Sequence, residues 1–291
     1  MPRHFLTGEE LSTDELERLL ERALALKSGR PGEGSDSFTG RSVALVFERP
    51  STRTRISFEV GVNELGGSAV VLRGDELQLS RGESIGDTGR VLSRLVHAIA
   101  IRSGSHEAVT ELAESSTVPV INALTPAHHP CQALADLLTL RERFGGLDGL
   151  RLAYVGDGNN VARSLAIFGG LAGVEIAIAS PEGYELDDAR GALMTRDPAE
   201  AVAGADAVYT DVWVSMGDED EDARRAALEP YRLSSALLDQ ASDRAIALHC
   251  LPAHPGEEVD ADVLYGDRSA VWDQAENRLH AQKALLELLL G

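Results

Sequence analysis

Ser42-Val43-Ala44-Leu45-Val46-Phe47 runs directly into Glu48-Arg49-Pro50-Ser51-Thr52-Arg53-Thr54-Arg55, and this join decides how the chain reads. The first stretch is short and almost continuously apolar, as suits a strand buried on both faces. The second offers Ser51 as an N-cap, and a helical pattern follows from Thr52 to Leu65. Working outward, the same strand-then-helix unit recurs. Strand-like runs lie at Ser68–Leu72, Ala98–Arg102 and Val118–Ala123, with helical patterns at Asp87–Leu95, His106–Glu114 and Pro130–Phe144. Upstream, Ser12 and Thr13 start a helix that carries Leu16, Leu19, Leu20, Ala23 and Leu24 at helical spacing. Gly145, Gly146 and Gly149 mark a boundary. Strands then resume at Arg151–Val155, Val174–Ala179, Ala207–Asp211 and Ala245–Cys250, and a last helix covers about Gln274–Leu290. The alternation predicts an α/β fold of two domains, each a mainly parallel sheet flanked by helices.

Composition sets the bounds. A chain of 291 residues suits two domains, and 43% apolar residues can fill their cores. No apolar run can span a bilayer and no basic-then-apolar leader pattern opens the chain, so a cytoplasmic protein is expected. Cys131 and Cys250 make no disulfide framework. A formal charge of −20 argues against a nucleic-acid partner. Lys27 and Lys283 are the only lysines; all other basic residues are arginine. Such an acid-rich, lysine-poor chain fits work in concentrated salt, where screening shortens self-repulsion.

Open parallel sheets bind ligands beyond the C-terminal ends of their strands, so the residues there are the candidates. After Phe47, the free N–H groups of a helix start and the fork of Arg53 suit phosphate, or else form an ordinary capped helix with solvated arginines. Arg55 lies about 200° around the helix from Arg53 and is expected to pair structurally. Ile101 leads into Arg102. His129 and Gln132 share one face of a helix start opened by Pro130, where they can donate to a carbonyl or cap the helix. Gly156-Asp157-Gly158-Asn159-Asn160 resembles a nucleotide-binding turn, but Val161 stands where a third glycine is needed, which disfavours a dinucleotide. Asp211 ends a strand and wants a cation, either a ligand ammonium or a neighbouring arginine. Cys250 beside His249 is a nucleophile, a contact to a substrate amine, or a buried inert thiol.

Taken together, these stretches resemble the carbamoyltransferases. Ser51-Thr52-Arg53-Thr54-Arg55 resembles that family's carbamoyl-phosphate signature, and His129-Pro130-Cys131-Gln132 its second phosphate and carbonyl motif. Asp211 to Gly217, with Ser215-Met216-Gly217, and His249-Cys250-Leu251-Pro252 resemble the ornithine-specific branch. Further likeness runs through Asn122-Ala123-Leu124-Thr125, Gly156 to Val161 and Glu276-Asn277-Arg278, so it covers the chain from about Thr39 onward.

The resemblance implies carbamoyl transfer from carbamoyl phosphate to the δ-amine of L-ornithine, in the direction of citrulline synthesis or its reverse, with no metal and no cofactor. It assigns Ser51, Thr52, Arg53 and Thr54 to the phosphate, and Arg102, His129, Gln132 and Arg278 to the rest of carbamoyl phosphate. Asn160, Asp211, Ser215 and Met216 fall to the ornithine head group, and Cys250 and Leu251 lie near the reacting groups. Gln78 matches a glutamine that enters a neighbouring subunit, implying a homotrimer or a multiple of trimers. The implied domains are 1–145 for carbamoyl phosphate, 146–272 for ornithine, and 273–291 as a helix returning to the first domain.

Three features depart from the pattern: a short segment between Tyr184 and Pro198, Pro255 in place of an arginine, and Arg163 where smaller residues are usual. An aspartate-using relative would lack Ser215-Met216-Gly217 and His249-Cys250-Leu251-Pro252, so a related amine such as acetylornithine or putrescine is the nearer alternative. A non-catalytic homologue would show damage at Arg53, Arg102, His129 or Cys250, and all four are intact.

Overall fold

The apolar runs do become parallel strands. The computed structural model describes residues 2–30, 36–74, 76, 82–214 and 220–291. They form two compact units, Met1–Leu138 with Glu276–Gly291, and Thr139–Ala275.

In the first unit, β1 (Ser42–Phe47), β2 (Ser68–Arg73), β3 (Ala98–Arg102) and β4 (Val120–Leu124) lie in the order β2-β1-β3-β4, all parallel. Val43, Ala44, Leu45 and Val46 are sealed from solvent, which explains why β1 shows no polar alternation. Each such Val or Leu stabilises the unit by roughly 1.5–3 kcal/mol. The helices are α1 (Thr13–Ser28), α2 (Thr52–Glu64), α3 (Ile85–Leu92), α4 (His106–Ser115) and α5 (Pro130–Phe144). The units part within α5. Ser12 caps α1, as its residue type suggests, and does so through a reciprocal pair with Glu15. Ser51 differs: it is extended, and its hydroxyl makes no bond to the first turn of α2. The side-chain cap expected there is absent, which leaves those N–H groups to other acceptors.

In the second unit, β5 (Arg151–Val155), β6 (Glu175–Ala179), β7 (Leu193–Thr195), β8 (Ala207–Thr210) and β9 (Ile246–His249) form a parallel sheet ordered β7-β6-β5-β8-β9. Helix α6 (Asn160–Ala172) follows β5, with short helices α7 (Pro198–Val202), α8 (Glu221–Leu228), α9 (Ser235–Leu238) and α10 (Ala261–Leu264) behind it. The segment beyond Tyr184 folds over the β5–α6 turn, and Arg163 pairs with Asp187 at 2.7 Å. Gly158 is required there: an added Cβ would come within 2.6–2.8 Å of backbone at 184–186.

Helix α11 (Val271–Leu290) ends the chain, and from Glu276 it belongs to the first unit. The chain's two lysines lie in its seam: Lys27 donates to Asn277 at 2.9 Å and Lys283 to Glu64 at 2.8 Å. Arg22 pairs with Glu287, and Arg41 donates to the Leu290 carbonyl. The C-terminal helix thus packs on α1 and α2.

Both sheets reverse their winding once, between β1 and β3 and between β5 and β8. Such switch points are where open α/β sheets leave a crevice at the strand ends. Glu48–Arg53 and Arg102 follow one switch; Asp157–Asn160 and Asp211 follow the other.

Candidate active site

A knot of buried polar side chains occupies the first switch point. Thr54, His129, Gln132 and Arg278 are each at most 4% exposed. The Arg278 guanidinium donates to Gln132 Oε1 at 2.9 Å and to Thr54 Oγ1 at 2.7 Å, tying α11 to α5 and α2. Gln132 Nε2 in turn donates to Asp136 Oδ1 at 2.8 Å. Gln132, assigned by resemblance to carbamoyl phosphate, therefore already orients Arg278, with one amide hydrogen and one lone pair to spare.

His129 opens α5. Its pKa is held well below the ordinary value, first by burial and then by the positive charges of Arg278, Arg102 and Arg53. The ring is thus neutral at pH 7, with the charges of three guanidinium groups acting on it. Arg53 and Arg102 are half-buried, as is Ser51, while Thr52 is exposed. Arg55 turns away to Glu59 at 3.2 Å, the structural pairing its helical position predicts. Cys131 is buried against the Asn122 carbonyl, and burial pushes its thiol up to about 12, so it is an inert core residue.

The second switch point holds an acid in a neutral setting. Asp211 is 6% exposed. One carboxylate oxygen accepts from Asn159 Nδ2 at 2.9 Å; the other accepts from the Cys250 thiol at 2.9 Å. Among the described residues no arginine or lysine pairs with it. Of the two partners the sequence allows for Asp211, the arginine is not the one found. Arg224 is spent on Asp157 at 2.6 Å. Asn159 also caps α6 by accepting from the Val161 and Ala162 N–H groups, and Tyr154 donates to it at 3.3 Å. Asn160 begins α6, half-buried.

Asn159 and Tyr154 were missed by sequence reasoning, although the paired asparagines of the turn carried the signal. Gln78, Ser215 and Met216 lie outside the described residues. The ligand atoms of Asp211, His249 and Cys250 lie within 4.8 Å of one another, as do those of His254, Glu257 and Glu258.

Residues 3–142 match the aspartate/ornithine carbamoyltransferase carbamoyl-P binding domain, and residues 148–289 the Asp/Orn binding domain. An ornithine carbamoyltransferase of Acidothermus cellulolyticus is 54% identical, across 100% of this chain and 97% of that protein. The ornithine carbamoyltransferase structure from Pyrococcus furiosus superposes with a TM-score of 0.94 at 46% identity, covering 100% and 97% of the two chains. That from Thermus thermophilus gives 0.94 at 43%, with full coverage of both. The chain belongs to the aspartate/ornithine carbamoyltransferase family.

Proposed function

We propose that this protein transfers the carbamoyl group of carbamoyl phosphate to the δ-amine of L-ornithine, giving citrulline and phosphate. One observation carries the reading beyond the family: a buried carboxylate, Asp211, is held by an amide and a thiol with no cationic partner among the described residues. A buried unpaired acid favours an ammonium ligand, as an amino-acid head group supplies. The family resemblance and the named relatives specify which amino acid.

Each residue then has a task. The N–H groups opening α2, with Ser51, Thr52, Arg53 and Thr54, hold the phosphate. Arg102, the neutral His129 and Arg278 surround the carbamoyl carbonyl, with Gln132 holding Arg278 in place. Asp211, Asn160, Ser215 and Met216 bind the ornithine head group. Cys250 and the Leu251 backbone lie toward the reacting atoms.

A free alkylamine has a pKa of about 10 and arrives protonated. It must lose that proton before its nitrogen can attack the carbamoyl carbon. Attack puts negative charge on the carbonyl oxygen, where donors fixed in advance stabilise it without reorganising. The C–O bond to phosphate then breaks, the attacking nitrogen gives its surplus proton to the departing phosphate, and Arg53 and the α2 terminus receive the remaining negative charge. Holding both substrates supplies much of the rest. Cys250 donates its hydrogen to Asp211, so it acts as an orienting and proton-handling thiol, not as a covalent nucleophile.

The working form is a homotrimer or a multiple of it, with Gln78 reaching a neighbour's site. In support, Ile56, Val91 and Leu95 are exposed on the first unit, and a cavity of about 690 Å³ lies beside Ser51, Thr52 and Ile56. The protein works in the cytoplasm; no described helix is long and apolar enough to cross a membrane. It is adapted to salt, and its unfolding midpoint should rise from 0.1 M to 2 M KCl. An unchanged midpoint removes that part of the reading.

The reaction is tested by offering purified protein carbamoyl phosphate with ornithine, N-acetylornithine, putrescine or aspartate. Citrulline from ornithine at the highest rate is expected; faster turnover of another amine overturns the substrate assignment.

A further inference from the structure

Glu258 is fully buried, and a carboxylate there is costly unless well bonded. Its Oε1 meets His249 Nε2 at 3.2 Å and accepts the backbone N–H of His254. Burial raises its pKa, but the bonds from His249 and the backbone outweigh that and leave it below the ordinary value, so it is ionised. His249 is 2% exposed, and its Nδ1 accepts the Leu251 N–H at 2.8 Å. A nitrogen that accepts carries no proton, so the ring hydrogen sits on Nε2 and points at Glu258. Gln274 Oε1 fixes the backbone N–H of the same histidine at 2.9 Å.

The held loop is under strain. Leu251 sits at φ +60°, which residues with a Cβ rarely adopt. Its bond to His249 offsets part of that strain. Between these two residues lies Cys250, with its thiol 2.9 Å from Asp211. A ring flipped to the other tautomer would set Nδ1–H against the Leu251 N–H and release the turn.

We propose that Glu258 is a positioning residue for the amine-binding side of the site: it fixes His249 as the Nε2–H tautomer, so that Nδ1 holds Leu251 and keeps the Cys250 thiol on Asp211. The inference rests on the roles given above to Asp211 and Cys250. Glu258 touches no substrate; it acts through His249.

Two measurements test it. In protein labelled with 15N-histidine, His249, assigned by its loss in His249→Gln, should show a bare Nδ1 and a protonated Nε2 at neutral pH. In kinetics, Glu258→Leu keeps bulk and removes the acceptor. It should worsen kcat/KM for ornithine by about tenfold or more while the affinity for carbamoyl phosphate alone stays within about twofold. Glu258→Gln still offers an amide oxygen to His249 and an N–H toward His254 Nδ1, so its loss should stay under about threefold.

An Nδ1–H or doubly protonated ring overturns the proposal. So does Glu258→Leu with parental ornithine kinetics, or with carbamoyl-phosphate affinity falling in equal measure. If Glu258→Leu does not fold, the tautomer decides. A parent protein that makes no citrulline sinks the proposed function but leaves the tautomer result standing, so the two failures are told apart.

Discussion

Asp211→Asn should separate stability from binding. In the free protein the carboxylate receives one hydrogen bond from Asn159 and one from Cys250, both at 2.9 Å, and faces no cation among the described residues. An asparagine of the same shape can accept from Asn159 and turn its NH₂ toward the sulfur. The change removes a buried charge and costs at most the charge-assisted part of two bonds. The two effects oppose, so the net change should stay within about 1 kcal/mol, a melting shift of roughly 2–4 °C. Ornithine loses its counter-charge. Truncating one partner of a buried charged pair costs about 2–5 kcal/mol, or roughly 30- to 4,000-fold in kcat/KM at 1.4 kcal/mol per tenfold. Urea unfolding and a citrulline assay over a range of ornithine concentrations read the two numbers. A variant destabilised by several kcal/mol would mean that Asp211 serves the fold; one with parental kcat/KM would mean that it does not meet the amine. Either result refutes the reasoning.

Arg53→Ala should leave folding intact, since Arg53 is half-buried at a helix start, and should abolish the thermal stabilisation given by carbamoyl phosphate, about 2.7 kcal/mol for the parent at one hundred times Kd; retained stabilisation would move the phosphate site elsewhere. His129 gives a pH prediction. Its folded pKa lies well below 6.5, so the unfolded chain takes up the extra proton, and stability is lost as pH falls from about 6.5, by at most about 1.4 kcal/mol per unit. His129→Gln should flatten that slope between pH 6.5 and 5.5 in urea titrations, and an equal slope counts against a buried neutral ring. Cys250→Ser should change the pH profile for ornithine more than carbamoyl-phosphate binding; a trapped adduct on Cys250 of the parent would show that the thiol attacks.

Much of this was legible because parallel strands buried on both faces announce themselves. β1, β3 and β5 begin and end where their apolar runs do, and the polar stretches after them carry the candidate residues. β7 was not legible: three half-exposed or exposed residues at a sheet edge leave no periodic trace. The short helices of the second unit, such as α9 and α10, are too brief for a 3.6-residue pattern to register. Ser51 reads as a cap from its type alone, but capping depends on where the hydroxyl turns. The sharpest gap concerns partners. Nothing in Pro255-Gly256-Glu257-Glu258 marks one glutamate as half-exposed and the next as buried against His249, because burial there is imposed by the returning chain. Gln132 shows the same limit, since its bond to Arg278 spans 146 positions.

The proposed reaction requires Arg53 and Asp211 to act on one pair of substrates. Its most direct test is calorimetric titration with an ornithine whose δ-nitrogen carries a phosphonoacetyl group, so that one ligand bears both the anion and the amino-acid head. Tight binding is expected, and Arg53→Ala and Asp211→Asn should each weaken it by at least about tenfold, or 1.4 kcal/mol. Affinity left unchanged by either substitution would contradict that requirement.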